Sequence, residues 1–234
     1  MKNKKSALFL KILFLLLIFV IWHTGQVLLE ENKVALGGIS YDRFHVWLAP
    51  FNTYLNEHVW VANAVLIITS FHIDVILVGL GLWGIFGKTV RPLIGIALIL
   101  FSREFCQFIV SENIPAGMVW HYPGFPSLVV TYHTSLDFYY SGHSASAMLS
   151  VMELWNRKPY KRSYFVIAFL LLWMEFFSIL AMRFHYSIDV ITGLFAGAVC
   201  FSTAKVISPY FDRYLNPDEK TLNAHNLHRK DSDH

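Results

Sequence analysis

Two histidines and an aspartate stand where their types and spacing can do chemistry. His185 and Asp189 are four residues apart, which puts both side chains on one face of a helix. A carboxylate one turn from an imidazole holds it in one tautomer and stabilises its cation, so His185 can serve as nucleophile or general base. His143 follows Ser141 and Gly142 at the start of another apolar run, where it can serve as a general acid. Asp137 lies just upstream of it and can cap that helix or pair with a cation. Arg103, beside Glu104, and Arg183 are the nearby guanidinium groups. Two histidines and one aspartate, without candidate metal ligands of other kinds, suit phosphoryl transfer without a metal. No P-loop or glycine-rich phosphate signature is present, so no nucleotide and no other cofactor is expected. A single histidine at a membrane edge is ordinarily satisfied by water and headgroups. The combined set reads as functional, because ionisable residues in apolar spans are costly to keep.

The elements that must position these residues are read from composition and hydropathy. The chain has 234 residues, is 55% hydrophobic and only 15% charged, with a mean hydropathy of +0.46. Soluble domains average about 45–50% apolar and about 25% charged residues. The balance excludes a disordered chain, a nucleic-acid-binding tail protein and a disulfide-stapled secreted domain. The two cysteines, Cys106 and Cys200, sit in apolar runs and read as packing residues. The sequence therefore predicts an all-α polytopic membrane protein with about six transmembrane helices, forming one membrane domain over 1–208.

The apolar runs cover about 7–29, 60–86, 93–110, 141–155, 164–182 and 185–207, and at roughly 20 residues per span the chain has room for about six. The first has a basic start and no clear cleavage site, and is expected to be a retained anchor. Residues 30–59 are mixed and aromatic, as in a segment lying along the interface. Residues 111–140 hold Pro115, Pro123 and Pro126, which predicts an ordered loop. Residues 209–234 are polar and read as a solvated tail.

Lys and Arg concentrate at the start, around Lys88 and Arg91, around Arg157–Arg162 and at the end, while the 111–140 loop has none. The positive-inside rule then predicts both termini in the cytoplasm. It places the 30–59 segment, the long loop and the turn at Arg183 on the extracytoplasmic face, periplasmic or lumenal. Asp74, mid-span, is expected to pair with Arg103.

Ser141-Gly142-His143 followed by His185-Tyr186-Ser187-Ile188-Asp189 resembles the paired motifs of the lipid phosphate phosphatase and sphingomyelin synthase superfamily. The stretch from Gly117 to Ser127, with the run from Asp137 to His143, is similar to phosphatidylcholine:diacylglycerol cholinephosphotransferase and its bacterial relatives. The similarity runs from about Asp42 to about Gly197. It implies that His185 attacks the phosphorus of a lipid headgroup ester, that Asp189 orients His185, and that His143 protonates the departing lipid alcohol. It also implies phospholipid and diacylglycerol-like partners at the bilayer and no nucleic acid. The oligomeric state is left open.

The chain departs from the phosphatase branch of that superfamily. The branch has a Lys, six residues, then Arg-Pro, whereas Lys88 and Arg91-Pro92 are separated by two residues and fall on the wrong face. An Arg six residues before the nucleophile is replaced by Ile179, and the Pro often preceding Ser-Gly-His by Tyr140. A phosphate monoester carries close to two charges and a diester one, so the missing cations favour a diester. Arg103 and Arg183 remain to hold it, with Asp137, Tyr140 and Ser141 as further substrate-binding candidates. Trp120, Tyr122, Phe138, Tyr139 and Tyr140 crowd the same loop and can face a quaternary ammonium or form an interfacial belt. The expected activity is a headgroup phosphotransferase, most simply of phosphocholine. The alternatives are a lipid phosphatase or phospholipase C-like hydrolase with the same triad, and a non-enzymatic transporter or scaffold.

Overall fold

The computed structural model describes residues 2–32, 41–110, 112–132, 139–157 and 162–215. The order of elements is α1 (Lys2–Asn32), α2 (Arg43–Trp47), α3 (Ala49–Glu57), α4 (Val59–Phe86), α5 (Arg91–Ile109), α6 (Gly142–Trp155), α7 (Arg162–Ala181) and α8 (Ser187–Leu215). The protein is an all-helical polytopic membrane protein. Among the described residues five helices are long and apolar enough to cross a membrane by length and composition: α1, α4, α5, α7 and α8. Large apolar side chains such as Phe9, Phe71, Phe105, Leu170 and Phe195 are exposed on them, as expected where lipid replaces water as the solvent.

The run expected as the fourth span forms α6, which has 14 residues and is therefore about 21 Å long, short of the roughly 30 Å hydrocarbon core. Its length follows from its caps. Ser141 starts it by accepting the Ser144 N–H, and Asn156 ends it. It nevertheless runs from Ser141, beside Asp189 at the histidine end, to Glu153, which pairs with Arg91 at the opposite end. It is the innermost helix, packed chiefly on α8 and α7, with Ala145 and Leu149 fully buried. Residues 209–215, expected in the tail, continue α8 past Pro209. The remainder of the expected tail, 216–234, lies outside the described residues.

The close contact of α6 with α8 depends on two glycines one helical turn apart. A Cβ on Gly193 would stand 2.5 Å from the Ser141 carbonyl oxygen, and one on Gly197 would stand 2.4 Å from that of Ala145. Small residues at i and i+4 let helix backbones approach within a membrane. The approach also brings the Ser141 N–H to the Asp189 carbonyl, 3.1 Å away, so the starts of α6 and α8 are fastened side by side.

The interfacial segment forms α2 and α3. Asp42 caps α2 by accepting the Phe44 and His45 N–H groups, and Pro50 starts α3, where its missing N–H is harmless. Asn52 donates to the carbonyls of Gly117 and Ala181, joining α3 to the long loop and the end of α7. The loop is ordered along its described part. Ser127 Oγ and the N–H groups of Leu128 and Val129 all donate to the Asp74 carboxylate. Asp74 thus holds the loop instead of pairing with Arg103.

At the opposite end Arg91 makes a bidentate pair with the fully buried Glu153, at 2.8 and 2.6 Å. Asp212 accepts from Thr89 Oγ1 and the Val90 N–H. Arg91 is therefore structural and remote from the histidines, as its place in the sequence implied.

Candidate functional site

His185 is aimed by the turn between α7 and α8. The N–H of Phe184 returns to the Ile179 carbonyl and that of Arg183 to Leu180, the two bonds of a Schellman ending. That ending needs a left-handed residue, and Arg183 supplies it with φ of 58°. The Arg183 guanidinium donates to the carbonyls of Ala116 and His45. The turn is gripped again from α2. His45 Nε2 donates to the His185 carbonyl at 2.9 Å, and the Asp42 carboxylate accepts the Ser187 N–H.

Burial would raise the Asp42 carboxyl, but hydrogen bonds from Ser187 and the His45 N–H, with the His45 charge, bring it below its ordinary value. Burial, helped by Arg183, lowers the His45 imidazole against the opposing pull of the His185 carbonyl and Asp42. His45 is thus neutral at pH 7 and donates through Nε2.

Asp189 is fully buried and is the third residue of α8. Its Oδ2 accepts the Tyr186 N–H at 2.9 Å, closing the first turn as the returning half of a capping box does. The same oxygen lies 3.7 Å from His185 Nδ1, within ion-pair range and beyond a hydrogen bond. His143 sits in the first turn of α6, half-buried. The groups acting on it electrostatically are Glu175, His185, Arg103 and His72, so both histidines belong to one electrostatic cluster.

His143, His185 and Arg103 line one cleft with about 810 Å³ of empty space. Trp22 and Gln26 of α1 and Trp120 of the long loop form other walls. The indole N–H groups of Trp22 and Trp120 are buried and have no acceptor among the described residues. At Trp22, Leu77, Leu100 and Val129 the cleft adjoins a second, almost wholly apolar groove of about 1000 Å³ between α1, α4 and α5.

The remaining candidates fall elsewhere. Arg183 is absent from the cleft lining and fastens backbone. Tyr140 is buried in the core, its hydroxyl donating to the Ile99 carbonyl and bonding Ser102 Oγ at 2.6 Å. Ser141 is fully buried and caps α6. Asp137 and Phe138 lie outside the described residues. Among the loop aromatics Trp120 lines the cleft, packed edge-on against Phe184 at 4.8 Å, while Tyr122 is exposed.

Two carboxyl groups escaped the sequence reading. Glu175, in mid-α7, is 1% exposed and bonds His72 Nδ1 at 2.9 Å. A lone carboxylate within a span was itself the signal. Glu112, just beyond α5, contacts Asp189 and faces His185. Burial and the neighbouring Asp189 push its carboxyl up to about 8. Among the described residues no three His, Cys, Asp or Glu side chains are arranged to hold a metal ion.

The site is thus a cleft in a helical membrane bundle lined by two histidines and Arg103, with the buried Asp189 behind His185. Residues 136–206 match the PAP2 superfamily C-terminal family. The match supports the lipid phosphate phosphatase superfamily, and with it an enzyme of lipid phosphatase or phosphotransferase type acting at the membrane. No curated protein and no solved structure matches the chain.

Proposed function

We propose that the protein transfers a phosphorylated headgroup, phosphocholine in the first instance, between lipid alcohols on the extracytoplasmic face. The observation that carries this is the cleft that brings His143, His185 and Arg103 together and shares the walls Trp22, Leu77, Leu100 and Val129 with an apolar groove. A headgroup fits beside the histidines while an acyl chain lies along α1, α4 and α5. Arg103 is the one cation lining the cleft among the described residues, which matches the single charge of a phosphodiester. The position that would carry a further cation, Ile179, is fully buried in the core. Trp22 and Trp120 offer π-faces for a quaternary ammonium and N–H donors for ester or phosphoryl oxygens.

In this reading His185 Nε2 attacks phosphorus. An N–P bond forms as the P–O bond to the donor lipid breaks, and His143 gives its proton to the departing alkoxide. An acceptor hydroxyl then attacks phosphorus, His143 takes its proton, and the N–P bond breaks. Asp189 steadies the phosphoimidazolium. The groups pre-set around the leaving oxygen and the phosphoryl charge supply the stabilisation.

The test uses purified protein, headgroup-labelled phosphatidylcholine and diacylglycerol of a different chain length, beside His185→Ala. Label is expected on the new diacylglycerol and is lost in the variant. Water-soluble phosphocholine instead makes the protein a hydrolase with the same residues. No turnover of this donor removes the choline assignment and turns the search to phosphatidic acid and other headgroups. Lipid products unchanged by His185→Ala would remove the enzyme reading in favour of a transporter or scaffold.

A further inference from the structure

We propose that Glu112 is a positioning residue for His185, forming with Asp189 an acid–carboxylate pair that shares one proton and presents a single negative charge to the imidazole. This rests on the reading of His185 as the nucleophile. Glu112 belongs to the long loop and Asp189 to α8, and their carboxyl groups are in hydrogen-bond contact. Glu112 Oε2 and Asp189 Oδ1 are both buried, and neither receives a hydrogen from any N–H or O–H among the described residues. Two buried carboxyl oxygens in contact repel unless a proton lies between them, and such a pair titrates as a unit. The other Asp189 oxygen already serves the Tyr186 N–H and faces His185. One oxygen is turned to the imidazole, which leaves the other, served by no described donor, for the Glu112 proton.

The charged and titratable groups around the pair are His185 on the preceding turn, Asp42 of α2 and Arg103 of α5. Arg103 offsets Asp42, which leaves the pair's one charge to balance the one charge of a phosphoimidazolium. Burial and Asp189 keep the Glu112 proton in place up to about pH 8. Above that the two carboxylates repel, the loop end moves off α8, and Asp189 loses its placement against His185.

Infrared pH-difference spectra of the full-length protein in detergent test the proton without any substrate. The carbonyl stretch of a protonated carboxyl is expected to vanish with a midpoint near 8. It should be absent in Glu112→Gln and shifted to lower pH in Asp189→Asn. A spectrum in which Glu112→Gln changes nothing overturns the proposal. The pH–rate profile of headgroup transfer tests the positioning. Glu112→Leu should lower the rate at neutral pH by about tenfold, the scale typical of partners that orient a functional imidazole. Glu112→Gln should recover most of that loss and move the alkaline limb upward by more than a pH unit. An alkaline limb unmoved in Glu112→Gln overturns the positioning role. An infrared signal that behaves as expected in a protein with no lipid turnover upholds the shared proton and removes the phosphotransfer reading.

Discussion

Arg183 and Arg103 looked interchangeable as phosphate-holding cations, and the structure separates them. Arg183 holds a left-handed backbone with φ of 58°, a conformation that disfavours a side chain by roughly 1–2 kcal/mol, and it spends its guanidinium on the Ala116 and His45 carbonyls. Arg183→Ala should therefore lower thermal stability, by about 1–3 kcal/mol for a charged donor serving two carbonyls. Arg103 lines the cleft and also donates through Nε to the Tyr140 carbonyl at 3.1 Å, so Arg103→Gln should reduce turnover by more than its loss of melting temperature explains. A pH effect belongs to the same turn. His45 keeps a lowered value in the fold, whereas the unfolded imidazole takes up a proton near its ordinary 6.5. Its contribution is fully present above 6.5 and is lost as pH falls toward the folded value. Asp42, also lowered, contributes above its unfolded value of 3.8 and loses that contribution as pH falls through its still lower folded value. The melting temperature should thus begin to drop below about pH 6.5, and His45→Gln should flatten the first part of that drop. The spacing of His185 and Asp189 was readable because four residues on a helix mean one face. Glu112 was not, because its contact with Asp189 depends on how the loop beyond α5 lies against α8.

At the scale of elements, the helices were legible from apolar runs and the loop from its prolines, but the role of α6 was not. A run bounded by Ser141 and Asn156 looks like a span in hydropathy. Only packing shows that this run is short and innermost, lying against α8 through Gly193 and Gly197. The glycine pair was visible in the sequence as a small residue at i and i+4, a signal for helix contact. Gly197→Ala should cost about 1–3 kcal/mol by overpacking, read as a lower melting temperature, because the obstructing atom is backbone. Gly193→Ala pushes on the Ser141 carbonyl and so on the start of α6, and should depress turnover more than stability. Asp74 belongs here too. It gathers three donors from the loop, and Asn has a single carbonyl oxygen with which to accept them. Asp74→Asn should make the loop susceptible to proteolysis within 111–140 while the helical content measured by circular dichroism stays unchanged.

Across the whole molecule the two ends have different tasks. The Arg91–Glu153 pair and Asp212 fasten one end, and the histidines occupy the other. Glu153→Ala leaves Arg91 largely buried without its partner, a loss of about 3–5 kcal/mol, and should lower the melting temperature without altering the pH–rate profile of the protein that remains folded. The positive-inside pattern assigns that end to the cytoplasm in our reading, and accessibility of a single cysteine placed at Lys88 or at Tyr122 would check it: labelling at Lys88 from outside the cell overturns the orientation.

The apolar groove beside α1 has a kinetic consequence. A substrate that reaches the histidines by sliding along it is never dissolved in water, so its bulk molarity does not govern the rate. In mixed micelles, doubling detergent and lipid together should leave the velocity unchanged at saturating total surface. Diluting the lipid with detergent at constant lipid molarity should lower the velocity in step with its mole fraction.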